Sequence, residues 1–130
     1  MAGPRMVGDT NIFIAYLRAT KKEKTWLQQL PDDTELFISA ATRYELLMGA
    51  TDDRKKRDVE LLTGPLPTLP FSKAVADKAA GIYHSLRSKN RMIEFRDIFI
   101  AATALENGLP ILTTNRRDFS NVEGLRFYEL

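Results

Sequence analysis

A chain of 130 residues with 44% hydrophobic and 28% charged side chains has the size and composition of one packed domain, so residues 1–130 are read as a single unit. The absence of cysteine excludes disulfides, thiolate-bound zinc and thiol nucleophiles, and a lone histidine, His84, excludes multi-histidine metal sites, which leaves carboxylates, hydroxyls and amines for any catalysis. The formal net charge of +2 pulls only weakly towards an anionic partner, and with no signal-like apolar run and no membrane-length segment the chain is expected to be soluble and cytoplasmic.

The chain opens on a β-compatible stretch, Arg5 to Gly8. It runs into Asp9, Thr10 and Asn11 and then into the helical spacing of Ile12, Phe13, Tyr16 and Leu17. Trp26, Leu27 and Leu30 predict a second amphipathic helix over 22–30, ended by Pro31. A buried strand is expected over 35–39, followed by a helix over about 41–50 that Gly49 helps to close. The segment 52–62 is highly charged and anchored by Val59, Leu61 and Leu62, and the prolines at 65, 67 and 70 stiffen a connection that holds one short strand at best. Ser72 is placed to cap a helix running to about Ser88 on Val75, Ala79, Ile82, Tyr83 and Leu86. The helix expected over 97–107 is apolar nearly all round and belongs against a sheet, with Asn107 and Gly108 ending it. A short strand over 110–113 opens into 114–119, and 125–128 is the last strand candidate. Strands alternating with helices across such long connections predict an α/β domain with a mainly parallel sheet covered on both faces. In sheets of that kind ligands bind beyond the carboxyl ends of the strands.

Three aspartates stand where that rule points. Asp9 ends the first strand, Asp97 opens the apolar helix and Asp118 follows the 110–113 strand. Capping or turn roles explain each of them singly, but Thr10 or Asn11 would serve the first cap equally well. Glu45 borders the arc of Ala41, Tyr44, Leu47 and Met48, the face expected to pack inwards, and a carboxylate at a core margin needs a partner or an ion. Leu46 falls outside that arc, where it either meets a partner's amphipathic segment or packs under the 52–62 helix.

Four blocks occur in the order of the PIN-domain pattern: Gly8-Asp9-Thr10-Asn11, Tyr44-Glu45-Leu46-Leu47-Met48-Gly49, Asp97-Ile98-Phe99-Ile100-Ala101-Ala102-Thr103-Ala104, and Thr113-Thr114-Asn115-Arg116-Arg117-Asp118-Phe119. The chain resembles the VapC-type toxin branch of that family. The resemblance implies a three-layer α/β/α fold with a central, mainly parallel sheet, and a ribonuclease that binds magnesium or manganese at an acidic cluster. Asp9, Glu45, Asp97 and Asp118 match the acidic positions and are thereby implied as catalytic residues and metal ligands. Asn115 matches a polar position that orients the site, a role open to Thr113 or Thr114 as well. Gly8 departs from the pattern, in which a larger apolar residue is common before the first aspartate. The likeness further implies a homodimer and a small inhibitory antitoxin, whose arginine would reach Glu45 or Asp118.

Gathered carboxylates repel and raise one another's pKa unless a hard divalent cation cancels the charge, which is the physical sense of such a cluster. Arg116 and Arg117, beside Asp118, are the residues expected to contact RNA phosphates. A phosphorelay receiver domain would need an aspartate after its third strand, and the 67–71 segment has none. A non-catalytic scaffold with the same fold is the stronger rival, since fold alone does not establish activity.

Overall fold

In the computed structural model, which describes residues 2–130, the strands are β1 (Arg5–Gly8), β2 (Glu35–Ser39), β3 (Thr68–Leu69) and β4 (Ile111–Leu112). The helices are α1 (Thr10–Arg18), α2 (Trp26–Gln29), α3 (Ala40–Met48), α4 (Asp53–Thr63), α5 (Lys73–Ser88), α6 (Phe95–Glu106) and α7 (Arg116–Phe119). The sheet is parallel throughout, in the order β3-β2-β1-β4, with Val7 opposite both Phe37 and Ile111. The central strands place Met6, Val7, Phe37 and Ile38 in the core on alternating faces, as strands covered on both sides require.

Alternate residues of each strand feed opposite layers. Val7, Phe37 and Ile111 pack with Val75, Ala79, Ile82 and Leu86 of α5 and the apolar flank of α6. Ile38 faces the other way, onto Phe13, Leu46, Ala50 and Val59 from the α1, α3 and α4 side, while Met6 and Leu112 join Ile12. This is the three-layer α/β/α architecture expected from the sequence, and each fully buried Ile, Leu or Phe in it contributes about 1.5–3 kcal/mol. Gly8 belongs to this packing: a Cβ there would lie 2.7 Å from the Phe13 ring, so the larger Phe13 occupies the space that an apolar residue at position 8 would need.

Several local expectations hold closely. Ser72 Oγ accepts from the Val75 amide at 3.2 Å and starts α5, which ends at Ser88 as expected. Others are corrected. The helix expected over 22–30 is a 3-10 turn, Lys22–Lys24, and the short α2, because Thr25 is extended and its hydroxyl bonds back to the Lys22 carbonyl at 2.6 Å. Residues 125–128 form no strand; β4 offers only two residues and makes a single bridge to Phe127.

The largest correction concerns α3. Ser39 Oγ accepts from the Thr42 amide at 3.1 Å, which sets the phase of the helix so that Thr42 and Leu46, four apart, point inwards. Tyr44 and Met48, on the arc expected to pack inwards and read as core or contact surface, are 66% and 60% exposed, and Leu46 is buried against Val59 of α4. Both faces of this helix carry apolar residues, so periodicity could not choose between them.

Candidate active site

Asp9 lies immediately after β1 in the N-cap position of α1, where its amide donates to the Leu112 carbonyl at 2.9 Å. Its carboxylate does not cap the helix. Instead Oδ2 accepts from the Thr113 hydroxyl at 2.8 Å, and the Asn115 amide donates to the same Thr113 oxygen at 2.9 Å. Thr113 is buried and bonded to Asp9, whereas Thr114 is exposed and makes no side-chain hydrogen bond among the described residues, so of the two threonines it is Thr113 that touches the site. Asn115 Nδ2 donates to Asp118 Oδ2 at 2.7 Å, which orients the late aspartate in the first turn of α7.

Asp97 was expected to open its helix. The helix begins earlier, at Phe95, with Glu94 in the cap position and Asp97 in the first turn. Asp97 therefore does not cap, and no hydrogen bond engages its carboxylate among the described residues. A partial positive charge at the start of α6 favours an anion at this place.

Glu45 is held at both ends. Thr10 Oγ1 donates to its Oε1 at 2.8 Å, and Arg96 Nε sits 3.1 Å from its Oε2. Behind Thr10, the hydroxyls of Thr10 and Thr42 are 2.9 Å apart and Ser39 Oγ donates to Thr42 Oγ1 at 3.1 Å, a buried chain linking the ends of β1 and β2. Neither that chain nor Arg96 was singled out by the sequence analysis. The one signal available for Arg96 was its place next to Asp97.

The electrostatics agree with crowding at the carboxyl edge of the sheet. Burial pushes the Asp97 carboxyl up to about 6, with the charges of Asp9, Glu94 and Asp118 adding to the rise and Arg96 opposing it. Burial also raises Asp9, opposed mainly by the Thr113 hydrogen bond, while Glu45 adds to the rise. The donor set is oxygen only, which suits a hard cation such as magnesium or manganese. As they stand, no three acidic side chains among the described residues converge closely enough to enclose an ion.

The predicted RNA contacts divide. Arg116 is half exposed; its Nη2 pairs with Glu129 at 2.9 Å and its guanidinium stacks over Phe127, 4.5 Å from the ring centroid. Arg117 is exposed. His84 is exposed on α5 and lies outside the cluster.

Residues 6–125 match the family described as the PIN domain. The chain is 30% identical over 127 residues to Ribonuclease VapC1 of Rickettsia felis, covering 92% of each protein. It is 31% identical over 125 residues to the tRNA(fMet)-specific endonuclease VapC of Shigella flexneri, covering 91% of this chain and 92% of that one. Among solved structures, it superposes on a chain of a toxin-antitoxin complex from Klebsiella pneumoniae with a TM-score of 0.73 and 25% identity, covering 96% of this chain and 99% of that chain.

Proposed function

Because the chain belongs to the PIN-domain family, we propose that it is a ribonuclease, the toxin of a toxin–antitoxin pair, which hydrolyses RNA at the cluster of Asp9, Glu45, Asp97 and Asp118 with magnesium or manganese. The observation that carries this reading is the placing of Asp9 and Asp97 at the carboxyl edge of the sheet, where burial disfavours both charged forms, Asp9 adds to the rise at Asp97 and Glu45 to that at Asp9. Crowding of this kind destabilises the bare protein and is relieved by a divalent cation.

Asp9 and Asp97 are the principal residues to hold such an ion, with Asp118 and Glu45 flanking them. A bound divalent ion supplies charge neutralisation, an activated water and a polarised phosphate. The chain's own part is orientation. Thr113 fixes Asp9, Asn115 fixes Asp118, and Thr10 fixes Glu45. The water oxygen bonds to phosphorus, one of its protons passes to a carboxylate oxygen of the cluster, and the P–O bond to the leaving nucleotide breaks, its oxygen departing as a hydroxyl with a proton taken from solvent. Attack by water leaves no 2′,3′-cyclic phosphate, unlike attack by the ribose hydroxyl. Incubation with a tRNA pool tests this: cleavage abolished by EDTA, restored by magnesium or manganese, and free of cyclic-phosphate ends is expected. Chelator-resistant cleavage, or cyclic ends, would contradict it.

The partner reading rests on two surfaces. A groove of about 230 Å³ between α1, α3 and α4 is lined by the apolar Ile14, Leu17, Ala50 and Val59 and by the charged Arg18, Glu45, Lys55 and Asp58. It suits the apolar face of an antitoxin helix whose arginine meets Glu45. Leu46 forms part of its floor instead of projecting from the surface. On the opposite side of α3, exposed Tyr44, Met48, Phe71 and Phe95 make an apolar face of the kind that a second copy covers in a homodimer.

A further inference from the structure

We propose that Arg96 is the phosphate-positioning residue of this site, held by Glu45 in the RNA-free protein and exchanged onto an RNA phosphate oxygen when the cluster is filled; this rests on the ribonuclease reading above. Arg96 stands in the first turn of α6, next to Asp97. Its Nε lies 3.1 Å from Glu45 Oε2 and its Nη2 lies 2.9 Å from Glu94 Oε2. Among the described residues it is the one cation paired with a carboxylate of the cluster. Arg116 pairs instead with Glu129, and Arg43 pairs with Glu60 of α4 at 2.8 Å, so neither engages an acidic side chain of the cluster.

The two halves of the Glu45 pair differ in a way that a purely structural clasp would not require. The Glu45 side chain is 11% exposed and stays anchored through its other oxygen to Thr10, whereas the Arg96 side chain is 54% exposed. The arginine is therefore free to swing while the glutamate is fixed. A pair that is half open to solvent adds little to stability, so its contribution to folding does not account for its placement. A guanidinium that spans two carboxylates presents the planar fork that also fits two oxygens of a phosphate. Divalent charge at the cluster and the Arg96 charge compete for Glu45, and RNA brings the anion that receives the displaced guanidinium.

The competition and the transfer are read separately, without measuring cleavage. The full-length chain, as wild type, Arg96→Gln and Arg96→Lys, is titrated with magnesium chloride and followed by thermal denaturation. Binding of a fluorescein-labelled RNA of mixed sequence is followed by anisotropy across a potassium chloride series, with calcium as the cation and the RNA checked for integrity on a gel. Arg96→Gln is expected to reach half-maximal stabilisation at a several-fold lower magnesium concentration and to bind RNA roughly ten-fold more weakly. Its log–log salt slope is expected to fall by about 0.7, one phosphate contact on a single strand. Arg96→Lys keeps the slope but not the full affinity, because a point charge replaces the fork. A glutamine variant with the wild-type salt slope and magnesium midpoint overturns the proposal, as does a lysine variant that loses the slope. If the wild type itself neither responds to magnesium nor binds RNA, it is the ribonuclease reading that fails.

Discussion

At Asp97 the fold disfavours the charged form of a carboxylate without preventing its ionisation at neutral pH. Its pKa stands at about 6 against an ordinary 3.8, so between those values the folded protein binds more protons than the unfolded chain. The sign follows directly: stability without metal falls as pH rises from about 4 to about 6 and stays low above. A shift of this size corresponds to about 3 kcal/mol at most and, after solvent screening at a partly open site, to roughly 1–2 kcal/mol. Asp97→Asn is expected to raise metal-free stability at pH 7 by about that amount and to flatten the pH 4–6 dependence, as read by urea denaturation in EDTA. A destabilised Asp97→Asn at pH 7 would show that the carboxylate is satisfied, not strained. Thr113→Val removes the hydroxyl that holds Asp9 and leaves a buried carboxylate without its partner. It is expected to cost about 1–3 kcal/mol under the same conditions, and an unchanged midpoint would mean that Asp9 finds another donor.

Among the elements, α3 carries the sharpest difference between pattern and packing. Leu46→Ala opens a cavity against Phe13, Ile38 and Val59 and is expected to cost about 2–4 kcal/mol, whereas Tyr44→Ala leaves the folding of the isolated chain within about 0.5 kcal/mol. Denaturation of both variants at low protein concentration separates the two, and the reverse ranking would restore the inward arc of Tyr44 and Met48. Elements governed by local chemistry were legible in the sequence. β1, β2 and α5 follow from strand composition, helical spacing and the Ser72 cap. The parallel, two-faced sheet followed from connection length, but its order, β3-β2-β1-β4, depends on tertiary pairing. The phase of α3 was hidden because both its faces are apolar. The four acidic positions of the candidate site are named by the ordered family blocks alone, while the side-chain contacts to them are not. Thr113 reaches Asp9 across 104 positions of sequence, and Arg96 meets Glu45 only when α6 lies beside α3.

For the whole molecule, two apolar surfaces flank one acidic edge, and each is given a separate occupant. Met48→Lys places a cation at the C-terminal end of α3, where the helix dipole tolerates it, but in the middle of the exposed apolar face. It is expected to convert a dimer to a monomer by sedimentation at micromolar concentration with unchanged far-ultraviolet circular dichroism. A wild type that is already monomeric, or a variant that remains dimeric, would move the second copy elsewhere. Metal binding is global in its readout as well. Magnesium or manganese well above its dissociation constant is expected to raise the thermal midpoint, since only the folded cluster binds it. The most direct test of the acidic edge as the place where this chain cuts RNA is the rate of tRNA cleavage in magnesium by wild type and by Asp97→Asn, both confirmed folded. Cleavage by the wild type and a loss of about 100-fold or more in the variant are expected if the acidic edge does the cutting. Equal rates in the two proteins would contradict it.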